Sequence, residues 1–407
     1  MKNGIAETQQ NHARRAPGAR RASTLSAGAI AGLGALALMS AALAANPNKD
    51  QAKRMYDRIA GVPASDAVLT QMTQTDATSA ALMATQDPAF YNNTIRNLAA
   101  PWTNRDQTVF VPLNDYTATV VGMVRDNVPF NTLLSADLVY VADAASNVPA
   151  YSPANNDMYD AMDTDGLDLK AHLVTSTQSA VSGLAAAATA GVMTTRGAAM
   201  AFFVNGTNRA MFRFTMMNHL CSDLQTIPDT TRPPDRIRQD VTRSPGGDSS
   251  LFLNNCIECH SGMDPMAQAF AYYNFDNTAL KIVYTAGQVQ PKYFINSTNF
   301  PQGYVTPDDH WDNRFRTGVN SLLGWNAALN PTGGGAGAKS LGSELENSAA
   351  FANCQVTRVF KYVCFRAPSG TADQSQVATM VASFKSNNYS LRQVFADAAV
   401  YCMGTSP

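Results

Sequence analysis

Cys256-Ile257-Glu258-Cys259-His260, near the middle of the chain, is the most specific pattern in this sequence. Two cysteines separated by two residues and followed directly by histidine form the attachment pattern of a c-type haem. The two thiols would add to the haem vinyl groups, and the histidine would reach the iron from the same helical turn. The sequence therefore predicts one covalent haem c held by Cys256, Cys259 and His260. A redox-active or zinc-binding cysteine pair is the alternative interpretation.

The sequence leaves the sixth iron position open. His310, in a polar loop, is the first choice for this ligand, because imidazole is a common axial ligand. Arg314 and Arg316 follow it, and either guanidinium could hold a haem propionate. A predicted helix upstream offers further candidates, which are Met211, Met216, Met217 and His219. A vacant sixth position is the remaining possibility, and it would favour ligand binding or peroxidase-like chemistry.

The N-terminus has the features of an export signal. A basic segment with Lys2 and two arginine pairs precedes an apolar stretch, and Ala42-Leu43-Ala44 provides a small-residue cleavage site. Cleavage after Ala44 would remove five basic residues and Glu7, and would change the formal charge from −1 to −5. We therefore expect a periplasmic or extracellular protein without stable membrane insertion. A retained anchor is the alternative, and nothing suggests nucleic acid as a partner.

The remaining four cysteines form an even set, as expected of disulfides in an oxidising compartment. They are Cys221, Cys354, Cys364 and Cys402, which allow three pairings. We favour Cys221–Cys354 with Cys364–Cys402. Four buried thiols are the alternative, and a zinc site is disfavoured because these four contain no closely spaced pair.

Helical spacing of apolar residues predicts a mainly α protein with long irregular loops. The haem helix is expected to begin after a cap at Ser249 or Ser250 and to stop at Gly262, and Asp264 would cap the next helix. Asn- and Asp-rich sequence from 147 to 168 is expected to be a loop. The predicted parts are a signal peptide at 1–44, a helical N-terminal region at 45–180, a cytochrome c-like haem domain at 181–330 and a C-terminal helical module at 331–407. Short strands are expected near 138–141, 282–284 and 293–295.

Several segments together resemble the cytochrome-like domains of uncharacterised exported proteins that are abundant in planctomycetes and occur in proteobacteria. The segment from Cys256 to Met266, with Asp264-Pro265 and the later Asn274-Phe275-Asp276, is similar to their haem segment. Asn218-His219-Leu220-Cys221 resembles the segment before it. Phe351–Val356, with Phe360-Lys361-Tyr362 and Ser390-Leu391-Arg392, resembles their C-terminal helical module.

This resemblance covers about residues 185–405 and implies a mainly helical, monohaem protein of unknown biological role. Two features depart from the family pattern. Ala267-Gln268 stands where a glycine is common, and the insertion at about 305–340 contains His310. The identity of the distal ligand therefore cannot be carried over from the family.

Single-electron transfer through the haem, with a separate redox partner protein, is the leading functional hypothesis. A haem enzyme with an open sixth site is the second, although no hydrolase triad, P-loop or dinucleotide motif accompanies it. A haem-stapled structural or assembly component of an envelope or extracellular complex is the third. The sequence favours an electron-transfer protein over a stand-alone enzyme.

Overall fold

The computed structural model describes residues 46–203, 208–236, 249–291 and 304–404. The predicted signal peptide and the predicted strand at 293–295 lie outside these residues. Within them the protein is mainly helical, as predicted. Its helices and strands are numbered in chain order below.

The N-terminal half is built from short helices, most of which begin at a polar side-chain cap. The Asn48 side chain accepts from the Gln51 amide at 2.9 Å and starts the first helix, which ends at Gly61 with a left-handed φ of 73°. The helices of this half are α1 (Lys49–Ala60), α2 (Asp66–Met72), α3 (Ala77–Ala84), α4 (Arg96–Ala99), α5 (Asp115–Arg125), α6 (Asp157–Thr164), α7 (Leu169–His172) and α8 (Gln178–Val181). Strands β1 (Val139–Ala142) and β2 (Leu173–Ser176) pair antiparallel beside α5.

The middle of the chain carries the C-x-x-C-H motif. Its helices are α9 (Arg196–Phe202), α10 (Arg209–His219), α11 (Ser249–Asn255) and α12 (Ile257–Ala267). Two small antiparallel pairs follow, formed by β3 (Tyr273–Asp276) with β4 (Lys281–Tyr284), and by β5 (His310–Asp312) with β6 (Gly334–Ala336). Helix α12 packs against α10 on one side and against β5 on another.

Four helices complete the chain: α13 (Gly337–Glu346), α14 (Ala349–Cys364), α15 (Gly370–Ser386) and α16 (Leu391–Cys402). Helix α16 packs against α14 and α15, and also against α1 and α3 from the start of the chain. Helix α3 contributes four fully buried alanines to this contact region, so the neighbouring helix can approach closely. The C-terminal helices therefore share their core with the N-terminal ones.

Both expected disulfides are present, and the favoured pairing is confirmed. Cys221–Cys354 joins the segment after α10 to α14, and Cys364–Cys402 joins the ends of α14 and α16. Each bond restricts the unfolded chain, the first across a sequence separation of 133 residues. Among the described residues, no helix has the length and apolar character needed to cross a membrane.

Two local predictions are wrong. Residues 147–168 are not all loop, because α6 forms there, with Met158 and Met162 four residues apart on its buried face. Asp157 and Asp160 in its first turn stabilise the helix N-terminus. The same acidic residues made the composition of this segment resemble that of a loop. The helix boundaries around the motif also differ from prediction. The helix is interrupted at Cys256, and α12 then continues through Gly262 and Pro265.

Candidate haem site

The motif residues lie at the start of α12. Cys256 is its N-cap residue, and its carbonyl accepts the His260 amide at 3.1 Å, so both cysteines and the histidine share one helical turn. Neither Cys256 nor Cys259 is in a disulfide, and both are partly exposed. The three motif residues therefore lie on one helical turn, and Cys259 and His260 line the same cavity.

A buried carboxylate orients the histidine. His260 Nδ1 donates to Asp264 Oδ1 at 3.1 Å, one helical turn further on. Arg209 on α10 binds the same carboxylate through two nitrogens, at 2.6 Å and 3.0 Å. The Asp264 side chain is 1% exposed, so the ion pair is held away from water. A carboxylate on Nδ1 fixes the ring and directs Nε2 toward a metal, which is the usual arrangement of histidine ligands.

Beside this imidazole lies a cavity of about 370 Å³. Its apolar walls suit a flat hydrophobic ring, and its guanidinium groups suit carboxylates. The described lining residues are Arg105, Arg209, Ala210, Arg213, Phe214, Leu224, Gln225, Cys259, His260 and Met263. Arg213 is already paired with Asp223 through two contacts of 2.8 and 2.7 Å. Within the described residues, Arg105 donates only through Nε, to the Ala201 carbonyl at 2.7 Å.

A close approach at Gly262 holds α12 in place. A Cβ atom added there would lie 1.8 Å from the Phe315 ring, so only glycine admits this contact. Phe315 is buried in the short 3₁₀ helix Arg314–Arg316, which packs on α12. Gly262 thus allows the Phe315 ring to pack closely against the helix that carries His260.

The Cys259 thiol lies in surroundings that keep it protonated. Burial raises its pKa, and the nearby carboxylates of Glu258 and Asp223 raise it further. Its sulfur approaches the Leu224 carbonyl at 3.5 Å as a donor. Reactive thiolates need the opposite environment, one that lowers the pKa. The raised pKa makes the Cys259 thiol itself a poor nucleophile.

The structure does not bring the predicted distal and propionate residues to this cavity. The His310 side chain is 53% exposed and contacts Asp312 at 3.4 Å. Arg314 pairs with Asp235, and Arg316 pairs with Glu344 at 2.7 Å. None of the three is among the described lining residues. Arg314 or Arg316 was expected to hold a haem propionate. Arg105 is better placed for this role, because it lines the cavity and forms no ion pair within the described residues.

The upstream candidates also lie elsewhere. Met211, Met216 and His219 are buried in the core and do not line the cavity, and neither does the half-buried Met217. His219 Nε2 is 2.6 Å from the Tyr116 hydroxyl. Burial lowers the pKa of His219 well below its ordinary value, and the Arg358 cation adds to this effect. This imidazole is a neutral core group.

The described residues contain no cluster of three or more histidine, cysteine or acidic side chains that could hold a bare metal ion. The donor set around His260 instead fits a cofactor that supplies its own equatorial ligands, because it offers thiols for attachment and one oriented imidazole. The residues present therefore fit a haem c held by Cys256, Cys259 and His260.

Sequence reasoning missed Asp264 and Arg209 as partners of the histidine. The spacing of His260 and Asp264, four residues apart, would have placed them on one helical face had the helix been continued past Gly262. No sequence signal links Arg105 or Arg209 to the motif, since both reach it through tertiary packing.

No protein-family model, curated protein or solved structure matches this chain.

Proposed function

We propose that this chain is an exported monohaem c-type cytochrome that transfers single electrons between partner proteins. The observation that carries the proposal is the His260–Asp264–Arg209 arrangement beside a cavity that Cys259 also lines. An orienting carboxylate on a ligand histidine stabilises one ring position and raises the basicity of the coordinating nitrogen. A bound haem would supply the one-electron chemistry, and its surroundings would set the reduction potential.

The chain's own residues would divide the work of holding the group. Cys256 and Cys259 would attach it, and His260 would provide the proximal nitrogen. Phe214 and Leu224 would cover part of the porphyrin with apolar surface, and Arg105 would pair with a propionate. The likeness to planctomycete-type haem domains supports the same assignment and stays a prediction.

Export is part of the proposal. Disulfides persist in oxidising compartments, and the Cys221–Cys354 and Cys364–Cys402 bonds agree with the predicted signal peptide. A periplasmic or extracellular location would also allow haem attachment to the exported chain before it folds.

Expression in a host that matures c-type cytochromes tests the proposal. The exported parent should keep haem on a denaturing gel, and Cys256→Ser/Cys259→Ser should lose it completely. Cys221→Ser/Cys354→Ser is the matched control, because it removes the same number of cysteines and should still carry haem. A parent chain with an unmodified intact mass and no Soret absorption would overturn the proposal.

A haem enzyme with an open sixth position is the second candidate. The observation in its favour is that Met263 is the only other histidine or methionine among the described lining residues, and it lies on the same helix as His260. Carbon monoxide distinguishes the two functions. A reduced protein whose spectrum does not respond favours electron transfer, and one that binds carbon monoxide favours catalysis.

A further inference from the structure

A second and larger cavity, of about 490 Å³, shares Arg105 with the cavity beside His260. Its volume falls within the range of small-molecule sites. One wall is apolar and is formed by Val111, Pro112, Met200 and Ala201. The cavity opens near apolar surface, since Met200 is 48% exposed and Phe110, next to Val111, is 91% exposed. Apolar groups left in water around a cavity favour a ligand with an apolar body.

Two guanidinium groups give this cavity its charge. Arg196 donates through Nε to the Leu280 carbonyl at 3.0 Å, and Arg105 donates through Nε to the Ala201 carbonyl at 2.7 Å. Within the described part of the chain, neither arginine forms an ion pair, in contrast to Arg209 and Arg213. A guanidinium has five N–H donors, so each retains capacity for a carboxylate.

The polar rim sets the charge of the ligand. The Asn156 side chain donates to the Leu113 carbonyl at 2.8 Å and to Asp160 at 2.7 Å, so its amide is held in place. Asp160 is exposed and lines the same cavity. Asp160 at the rim would repel a second carboxylate, so the cavity favours a monoanion over a dianion.

We propose that this cavity binds a small organic monocarboxylate with an apolar or aromatic body. The carboxylate would pair with Arg196, which lines this cavity and not the haem cavity, and the body would lie against Met200 and Val111. The site is separate from the proposed haem attachment and does not depend on it. Arg105 lines both cavities, so a bound acid would sit next to the haem cavity.

Benzoate is the probe, and calorimetric titration of the purified exported protein is the first measurement. Benzoate should bind at least tenfold more tightly than benzyl alcohol, which lacks the charge, and more tightly than the dianion terephthalate. Arg196→Gln should weaken benzoate at least tenfold. Lys281→Gln is the matched control, because it removes a neighbouring positive charge outside the cavity and should leave the affinity unchanged.

Methyl signals of 13C-labelled methionine locate the probe. Benzoate should shift the Met200 signal, assigned with Met200→Leu, and leave the Met263 signal of the haem cavity in place. The comparison of benzoate with benzyl alcohol needs only the parent protein, and the methionine signals do not need Arg196→Gln, so both hold even if that variant fails to fold. Equal binding of benzoate and benzyl alcohol, a shift of Met263 instead of Met200, or an unchanged affinity in folded Arg196→Gln would overturn the proposal. Failure of haem attachment would leave these readouts intact, so the two proposals fail separately.

Discussion

His260 and His219 lie on neighbouring helices, α12 and α10, that pack against each other, but the two side chains have different surroundings. The His260 side chain is 20% exposed, faces a cavity, and donates to a buried carboxylate. His219 is 1% exposed, contacts the Tyr116 hydroxyl, and its Nδ1 has no hydrogen-bond partner in the described part of the chain. Residue type and helical spacing made both of them ligand candidates. What separates them is an orienting carboxylate four residues further along the same helix and an opening that depends on tertiary packing.

The largest expected effect comes from replacing His260. We expect His260→Ala to retain covalent haem through its two cysteines and to lose the iron–imidazole spectrum of the parent, because the proximal nitrogen is gone. His219→Gln should leave that spectrum unchanged. Visible absorption of the reduced protein and electron paramagnetic resonance of the oxidised protein measure both results. An unchanged spectrum in His260→Ala would reverse the assignment of the two histidines.

His310→Ala sharpens the same experiment, since His310 was the first choice for the distal position. Its exposed side chain and contact with Asp312 lead us to expect no spectral change. A changed spectrum would instead show that His310 reaches the iron in the haem-bound protein.

The second effect is on stability. Arg209→Met would leave Asp264 as a buried carboxylate without its arginine, and we expect a loss of about 3–5 kcal/mol in the free energy of unfolding. Arg213→Met is the matched control on the same helix, because its ion pair with Asp223 is more exposed, and it should cost about 1 kcal/mol or less. Denaturant unfolding at pH 7 measures both. Equal losses would mean that the buried pair does not hold the site together.

The third effect is a dependence of stability on pH that belongs to His219. Its pKa is lowered in the folded state, so its contribution is complete above the unfolded value of 6.5 and is lost as the pH falls below that value. Between pH 7 and pH 5 the parent should lose about 2 kcal/mol more than His219→Gln. Unfolding free energies at the two pH values provide the comparison, and identical losses would contradict the neutral core assignment.

Glu346 affects the same measurement, because its contribution to the free energy of unfolding increases as the pH falls, whereas that of His219 decreases. Burial raises its pKa to about 8 against donors that include the Leu134 amide at 2.7 Å. Its contribution is complete below the unfolded value of 4.5 and is lost as the pH rises toward 8. Glu346→Gln is therefore the better background, and in it the loss on acidification should be larger than in the parent.

The sequence predicted what depends on local chemistry. The mainly helical character and the two disulfide pairings were predicted correctly, and the three motif residues do share one turn. The prediction that the haem helix ends at Gly262 was wrong. A glycine is needed there because the ring of the distant residue Phe315 packs against it, and not because the helix ends. Once α12 is continued, Asp264 becomes the neighbour of His260.

The rest of the site depends on distant parts of the chain. Arg105 and Arg209 reach the cavity from the loop before α5 and from α10, and no spacing rule relates either to the motif. Arg314 and Arg316 were chosen for being close to His310 in sequence, whereas each has its own carboxylate in Asp235 and Glu344. An arginine already in an ion pair is a poorer partner for a cofactor carboxylate than one without.

The smallest effect concerns the contact that keeps His219 in the core. Tyr116→Phe keeps the ring and removes the hydroxyl that is 2.6 Å from Nε2, which leaves both ring nitrogens unsatisfied. A buried polar atom that loses its partner costs about 1–2 kcal/mol, whereas removing both partners can be nearly neutral. Tyr116→Phe/His219→Phe should therefore be more stable than the sum of the two single variants predicts. Additive losses in denaturant unfolding, within about 0.5 kcal/mol, would show that the contact contributes nothing to the difference between the two histidines.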